Sequence, residues 1–153
     1  MKTMALALAF AVVALHGVAA QGPVAGNWRT EFDTGIRSVN GVETSTGKRQ
    51  ARIVLRLTGD SVTGTWQALA DSTAPAGKAI QLRGKIAGGR VQLQADPVEH
   101  VRMINGDQQR VRMIDSYSFV LHGDVLEGTV QTRSVDGSFE RNARPFSAKR
   151  EKN

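Results

Sequence analysis

The sequence predicts an all-β protein, an eight-stranded antiparallel up-and-down barrel. The main observation is a phrase that occurs twice, G-D-x-(V/L)-x-G-T-(W/V), at residues 59–66 and 123–130. Gly-Asp between two alternating apolar runs is typical of a hairpin turn, because glycine reaches a positive φ without steric cost and aspartate bonds its own backbone. The second glycine of the phrase lies inside the outgoing strand, which indicates a bend or a close backbone approach.

Turn signals recur along the whole chain at similar intervals. They are Asn40-Gly41, Gly59-Asp60, Asp71 to Lys78, Gly88-Gly89, Asn105 to Asp107, Gly123-Asp124 and Asp136-Gly137. Asn-Gly and Asp-Gly pairs between alternating runs are strong hairpin signals. Seven turns divide the chain into eight strands, and no window shows a convincing helical period.

Each predicted strand has one apolar face, which suits a sheet closed on itself because closure leaves no exposed edge. Gly64, Gly84 and Gly128 interrupt these faces, and we interpret them as points where the barrel wall bends. Alternation also identifies the side chains that would line an interior ligand site. They are Ile53, Leu55, Val62, Trp66, Leu82, Leu93, Leu126 and Val130.

Residues 1–20 have the pattern of a secretory signal peptide. Lys2 precedes an uncharged apolar run from Met4 to Leu15, and small residues at 18–20 precede Gln21. The run is shorter than the ~20 residues that span a bilayer. We therefore expect cleavage after Ala20 and export to the periplasm or the medium. Residues 21–153 then form a single domain with no transmembrane segment, and without cysteine it has neither a disulfide nor a lipid-modified cysteine.

Composition argues against several classes of function. The formal net charge is +6, but the basic residues are scattered and the aromatic residues are few, so the interleaving that stacks nucleic-acid bases is missing. Beyond the signal peptide the only histidines are His100 and His122, too few for a metal site without carboxylate help. There is no cysteine, no G-x-S-x-G elbow and no Ser-His-acid spacing. We expect no catalysis, metal, cofactor or nucleic acid.

Gly26-Asn27-Trp28, ahead of the first strand, resembles the G-x-W motif that opens lipocalins and their calycin relatives. The resemblance implies a barrel closed at one end by Trp28, with a basic residue of the last strand, Arg144 or Arg150, packed on the indole. The repeated glycine phrase also resembles small exported bacterial barrel proteins. The chain lacks the lipocalin T-D-Y motif, the several tryptophans of avidins and the disulfide of barrel-type metalloprotease inhibitors. The resemblance therefore implies a fold and a barrel mouth, but no particular ligand.

Two hypotheses for function follow from this fold. Eight strands enclose a space that is either filled by side chains or just large enough for one small ligand. Few large aromatic residues and many Val, Ala and Gly on the inward faces favour a cavity that holds a small apolar or amphipathic molecule. The alternative is a filled barrel that acts through its outer surface, as an envelope interaction or inhibitor-type protein. The sequence does not predict the oligomeric state.

Overall fold

The computed structural model describes residues 23–35, 37–39, 42–104 and 107–152, and the regular structure within them is all β-strand. The strands are β1 (Gly26–Thr34), β2 (Arg37–Val39), β3 (Val42–Thr44), β4 (Gly47–Thr58), β5 (Ser61–Ala68), β6 (Ile80–Ala87), β7 (Arg90–Ala95), β8 (Val98–Ile104), β9 (Asp107–His122), β10 (Val125–Ser134) and β11 (Arg144–Arg150). The expected signal peptide at residues 1–20 and the turns predicted at residues 40–41 and 105–106 lie outside the described residues.

Eight strands form the predicted closed antiparallel barrel. The order around the barrel is β1-β4-β5-β6-β7-β9-β10-β11, and β11 pairs with β1 to complete the ring. Gly59-Asp60, Gly88-Gly89 and Gly123-Asp124 are tight turns, as predicted. Gly59 and Gly123 both have a φ of 58°, in the left-handed region where glycine carries no steric penalty. Closure satisfies the backbone of each barrel strand from both sides.

Three of the eight predicted strands are interrupted. The first is divided into β1 and β2, the second into β3 and β4, and the fifth into β7 and β8. Pro97 lies in the last of these breaks, where its missing N–H removes a hydrogen bond from the ladder. The hairpin β2–β3 and the hairpin of β8 with the first part of β9 extend beyond the ring.

The two ends of the barrel differ. Antiparallel alternation places the three tight turns at one end, together with Trp28 and the chain after Arg150. We call this the closed end. The opposite end has the two extended hairpins and the longer connections, residues 69–79 and 135–143. We call it the mouth.

Gly64, Gly84 and Gly128 lie where neighbouring strands approach too closely for a side chain. A Cβ at these positions would overlap the carbonyl oxygens of Val54, Gln92 and Ser118 respectively. At Gly128 it would also stand 2.6 Å from the Cα of Phe119. The close backbone approach that the glycine phrase predicts is therefore present at Gly64 and Gly128, and Gly84 shares it.

The inward faces form one hydrophobic core. Six residues expected to line the interior are buried in it, namely Ile53, Leu55, Val62, Leu82, Leu93 and Leu126. Trp66 and Val130 are partly buried and pack against the same cluster. Phe146 fills space across the barrel, with its ring centroid 5.3 Å from Tyr117 and 5.5 Å from Phe119. The barrel between its closed end and its mouth is thus packed with side chains.

Candidate functional site at the barrel mouth

Trp28 and Arg150 seal the closed end. Trp28 is fully buried, and its Nε1 donates a hydrogen bond of 3.0 Å to the carbonyl oxygen of Val24. The guanidinium carbon of Arg150 lies 4.2 Å from the centroid of the Trp28 ring. This is the stacking implied by the lipocalin-like motif, and of the two arginines considered it is Arg150 that provides it.

Every nitrogen of the Arg150 guanidinium has an acceptor. Nη1 donates to the carbonyl oxygen of Ala25 at 3.1 Å and Nη2 to that of Pro23 at 2.8 Å. Nε lies 3.2 Å from Oδ1 of Asp124 in the β9–β10 turn. Arg150 therefore joins the N-terminal segment, the last strand and one hairpin turn, which is a structural role.

Arg144 lies at the other end of the same strand. It shares the inward face of β11 with Phe146 and Ala148, by alternation from Arg150. The strand register places it opposite Val130, which in turn pairs with Tyr117. The expectation that Arg144 was an equivalent candidate for Trp28 is corrected here, because the length of β11 separates it from the indole.

Aromatic side chains line the mouth beside Arg144. The rings of Phe32 and Trp66 meet edge to face, with their centroids 5.0 Å apart. Phe32, Trp66, Ile80 and Val130 are only half-buried although alternation points them inward. Inward side chains in the middle of the barrel are buried, and Ile86 near the closed end is half-buried as well. The mouth is therefore lined by apolar side chains that are partly exposed to solvent.

Arg144, at the same end of the barrel, has an unmet hydrogen-bond donor. Its Nε is buried and has no hydrogen-bond partner among the described residues. A buried donor without an acceptor costs free energy, and such a group is typical of a strained or functional position.

Two further polar groups surround Arg144. Burial raises the pKa of Tyr117, the nearby charge of Asp115 raises it further, and that of Arg144 opposes both. Tyr117 is therefore a neutral phenol at physiological pH. The carboxylate of Asp115 accepts a hydrogen bond of 2.5 Å from the Thr132 hydroxyl. The cluster contains one cation and one anion, so the mouth is polar without a large excess of charge.

Arg49 is also at this end, but its donors are in use. Its Nη2 donates to the carbonyl oxygens of Leu69 at 2.7 Å and Pro75 at 2.9 Å, and its Nε pairs with Asp71 at 2.8 Å. Hydrogen bonds from Thr73, then from the backbone of Ala74 and from Arg49, lower the pKa of Asp71 well below its usual range. Arg49 therefore anchors the β5–β6 loop, whereas Arg144 has a donor to spare.

A second concave feature lies on the outside of the barrel. It is an open groove of about 670 Å³ over β6, β7, β9 and β10. Most of the residues that line it are of polar type, among them Arg83, Lys85, Ser116 and Ser118, and Leu93 and Tyr117 also border it. Within the described part of the chain, no three histidine, aspartate or glutamate side chains are grouped to hold a metal ion. The same residues include no helix long and apolar enough to cross a membrane.

The sequence identified some of the mouth and missed the rest. Of the eight side chains expected to line an interior site, Trp66 and Val130 are the half-buried ones. Phe32, Tyr117 and the interior position of Arg144 were not anticipated. A signal existed for two of these residues, because Phe32 alternates with Trp28 and Arg144 alternates with Phe146.

Comparison with known proteins identifies no family. No protein-family model matches the chain, and comparison with curated proteins finds no match. Among solved structures, the crystal structure of Rv2717c from M. tuberculosis is similar over 86% of this chain and 94% of that one, with 14% sequence identity and a TM-score of 0.49. A similarity at this level carries no argument about function. The chain is an antiparallel eight-stranded β-barrel, as its own strand pairing shows.

Proposed function

We propose that this protein is an exported, non-enzymatic binding barrel that holds a small, mainly apolar molecule at its mouth. The observation that carries the proposal is the buried Arg144 Nε, which has no acceptor and lies among half-buried inward side chains. A ligand with a hydrogen-bond-accepting end would satisfy this donor. Its apolar part would cover the exposed portions of Trp66 and Phe32.

The packed core limits the size and depth of the ligand. Tyr117, Phe119 and Phe146 occupy the space below the mouth, so a long chain has no room to extend towards Trp28. The ligand is therefore small and lies across the mouth. Because Arg144 is a single cation and the Asp115 carboxylate also acts on nearby Tyr117, the accepting group we propose is a carboxylate or a neutral carbonyl rather than a multiply charged anion.

Membership of the lipocalin and calycin group is part of this proposal. The supporting observation is the Gly26-Asn27-Trp28 motif together with Arg150 stacked on the indole. Export is supported by the signal-like pattern of residues 1–20. The absence of a catalytic spacing in the sequence supports a binding role over an enzymatic one.

The test uses the emission of Trp66. Trp28 is fully buried beneath Arg150, so its emission stays constant, whereas Trp66 is half-buried and responds when a ligand displaces solvent. The protein is titrated with decanoate and with 2-decanone, and the Arg144→Met variant is titrated in parallel. We expect a saturable change in the wild type and at least a tenfold weaker affinity in the variant. No response to either compound would overturn the proposal, as would equal affinity of the two proteins.

The alternative, a filled barrel acting through its surface, has one specific observation in its favour. A groove of about 670 Å³ lies on the outer wall. An unchanged Trp66 emission across the whole titration would favour this second function.

A further inference from the structure

We propose that the outer groove of the barrel is a binding site for a short acidic sugar chain. This inference is independent of the ligand proposed for the mouth, because the two features lie on opposite faces of the same barrel wall. It rests on the strand register, on the shape of the groove and on the charges around it.

The register arranges the outward side chains of four neighbouring strands into two parallel rows. The first row runs from β6 to β10 through Lys85, Gln92, Ser118 and Thr129. The second row runs in the same direction through Arg83, Gln94, Ser116 and Gln131. Each row therefore has a cation, an amide, a serine and a further polar side chain, spaced by the ~4.8 Å that separates neighbouring strands.

The order of side-chain lengths within the rows makes the surface concave. Ser116 and Ser118 on β9 are short and form the floor, while the longer side chains of Gln92 and Gln94 form one rim. Gln131 and Thr129 form the other. A row of short side chains between longer ones produces a trough that follows β9, with a volume of about 670 Å³.

The groove attracts anions. Its lining includes Arg83 and Lys85 and contains no carboxylate. Arg83 pairs with Asp96 at 2.5 Å, while Lys85 is exposed and has no ion-pair partner among the described residues. Arg90 adds a third cation nearby, with its Nη1 3.4 Å from the Ser118 hydroxyl. Gln131 on the rim donates a hydrogen bond of 2.5 Å to Glu140, so the attraction for an anion comes from Lys85 and Arg90.

The hydrogen-bonding groups suit a carbohydrate. Amide and hydroxyl side chains each offer both donors and acceptors, which match the hydroxyl groups of a sugar. Leu93 and Tyr117 in the lining are buried, so the groove has no large exposed apolar side chain for an apolar ligand and no exposed aromatic ring on which a nucleic-acid base would stack. A sugar chain that bears carboxylates would form hydrogen bonds through its hydroxyl groups with the amide and hydroxyl side chains of the two rows, and ion pairs through its carboxylates with the cations.

The test measures binding of tetragalacturonate by calorimetry, with maltotetraose as the neutral counterpart. Ser118→Tyr fills the floor of the groove, and Lys85→Gln removes one of its cations. Lys149→Gln is the matched control, because Lys149 is also an exposed strand lysine and its removal changes the net charge equally. Thermal melts establish that each variant is folded. If Ser118→Tyr does not fold, Gln94→Ala takes its place.

We expect tetragalacturonate to bind and maltotetraose to bind at least tenfold more weakly. Ser118→Tyr should reduce the affinity for tetragalacturonate at least tenfold; if Gln94→Ala takes its place, the expected loss is at least threefold. Lys85→Gln should also reduce the affinity at least threefold. Lys149→Gln should leave it within twofold. Equal losses for the two lysine variants would show that only net charge attracts the sugar and would overturn the proposal. The proposal would also be overturned if Ser118→Tyr left the affinity unchanged, if maltotetraose bound as tightly as tetragalacturonate, or if tetragalacturonate did not bind.

Discussion

At the scale of single residues, the two inward-facing arginines of β11 have opposite roles. Arg150 has an acceptor for each nitrogen and an indole beneath its plane. Arg144, at the start of the same strand, has a buried Nε without an acceptor. The residue type and alternation are the same for both, so only the position along the strand distinguishes them. The position of each arginine along the barrel is set by the pairing of β11 with β10 and β1. The sequence of β11 alone does not contain this information.

Replacement of Arg144 by methionine tests whether this arginine serves function rather than stability. Arg144→Met removes a donor whose burial without a partner costs about 1–3 kcal/mol, so the free energy of unfolding should stay unchanged or rise. Arg150→Met is the matched variant and should lower it by about 1–2 kcal/mol, because the cation–π contact and hydrogen bonds are lost. Urea denaturation measures both. Equal destabilisation of the two variants would show that Arg144 is structural as well.

The Asp71 carboxylate predicts a pH dependence of stability. Its pKa is lowered in the folded protein by hydrogen bonds from Thr73, so its contribution is present above the unfolded pKa of about 3.9 and is lost as pH falls below it. The stability difference between wild type and Asp71→Asn should be constant from pH 7 to 5 and shrink below pH 4. Urea unfolding at pH 7, 5, 4 and 3 measures this. A difference that grows on acidification would contradict the assignment.

At the scale of elements, the repeated glycine phrase predicted both the turns and the close backbone approaches. Gly59 and Gly123 form turns with positive φ, and Gly64 and Gly128 lie against the backbone of the adjacent strand. The local sequence was sufficient for this prediction, because the positive φ and the close approach to the neighbouring strand both depend on the missing Cβ of glycine. The breaks within three predicted strands were not foreseen. In one of them the signal was Pro97, which removes a donor from a strand that otherwise alternates normally.

Valine at the bend glycines should destabilise the barrel strongly. In Gly64→Val and Gly128→Val the new side chain would overlap the carbonyl oxygen of Val54 or Ser118, so the strands must separate. We expect losses well above the ~1 kcal/mol span of strand propensities, measured by urea denaturation. Thr63→Val, on the outer face beside Gly64, is the control and should change stability by less than about 1 kcal/mol. Neutral substitution at both glycines would refute the bend.

At the scale of the whole molecule, the barrel has one structural end and one open end. Alternation predicted which side chains face inward, and six of the eight named residues are indeed buried in the core. It could not predict depth along the barrel axis, because the distance from either end depends on the stagger of all eight strands. The sequence therefore grouped Trp66 with deeply buried residues such as Leu55, although Trp66 is half-buried at the mouth.

Export is tested by the intact mass of the protein recovered from the periplasm or the medium. The n-region, the apolar run and the small residues before Gln21 predict removal of residues 1–20. The expected mass is that of residues 21–153. Replacing Ala20 by a bulky residue such as phenylalanine should slow processing and yield the longer form. A protein that retains Met1 to Ala20 in the exported fraction would contradict the prediction.

Native mass spectrometry of freshly purified protein tests the central claim, that the mouth holds a small molecule through Arg144. The wild type should show a non-covalent adduct of small mass that disappears under denaturing conditions. The Arg144→Met variant, prepared in the same way and equally folded, should show the bare chain. A wild-type protein without an adduct, or the same adduct on both proteins, would contradict the account.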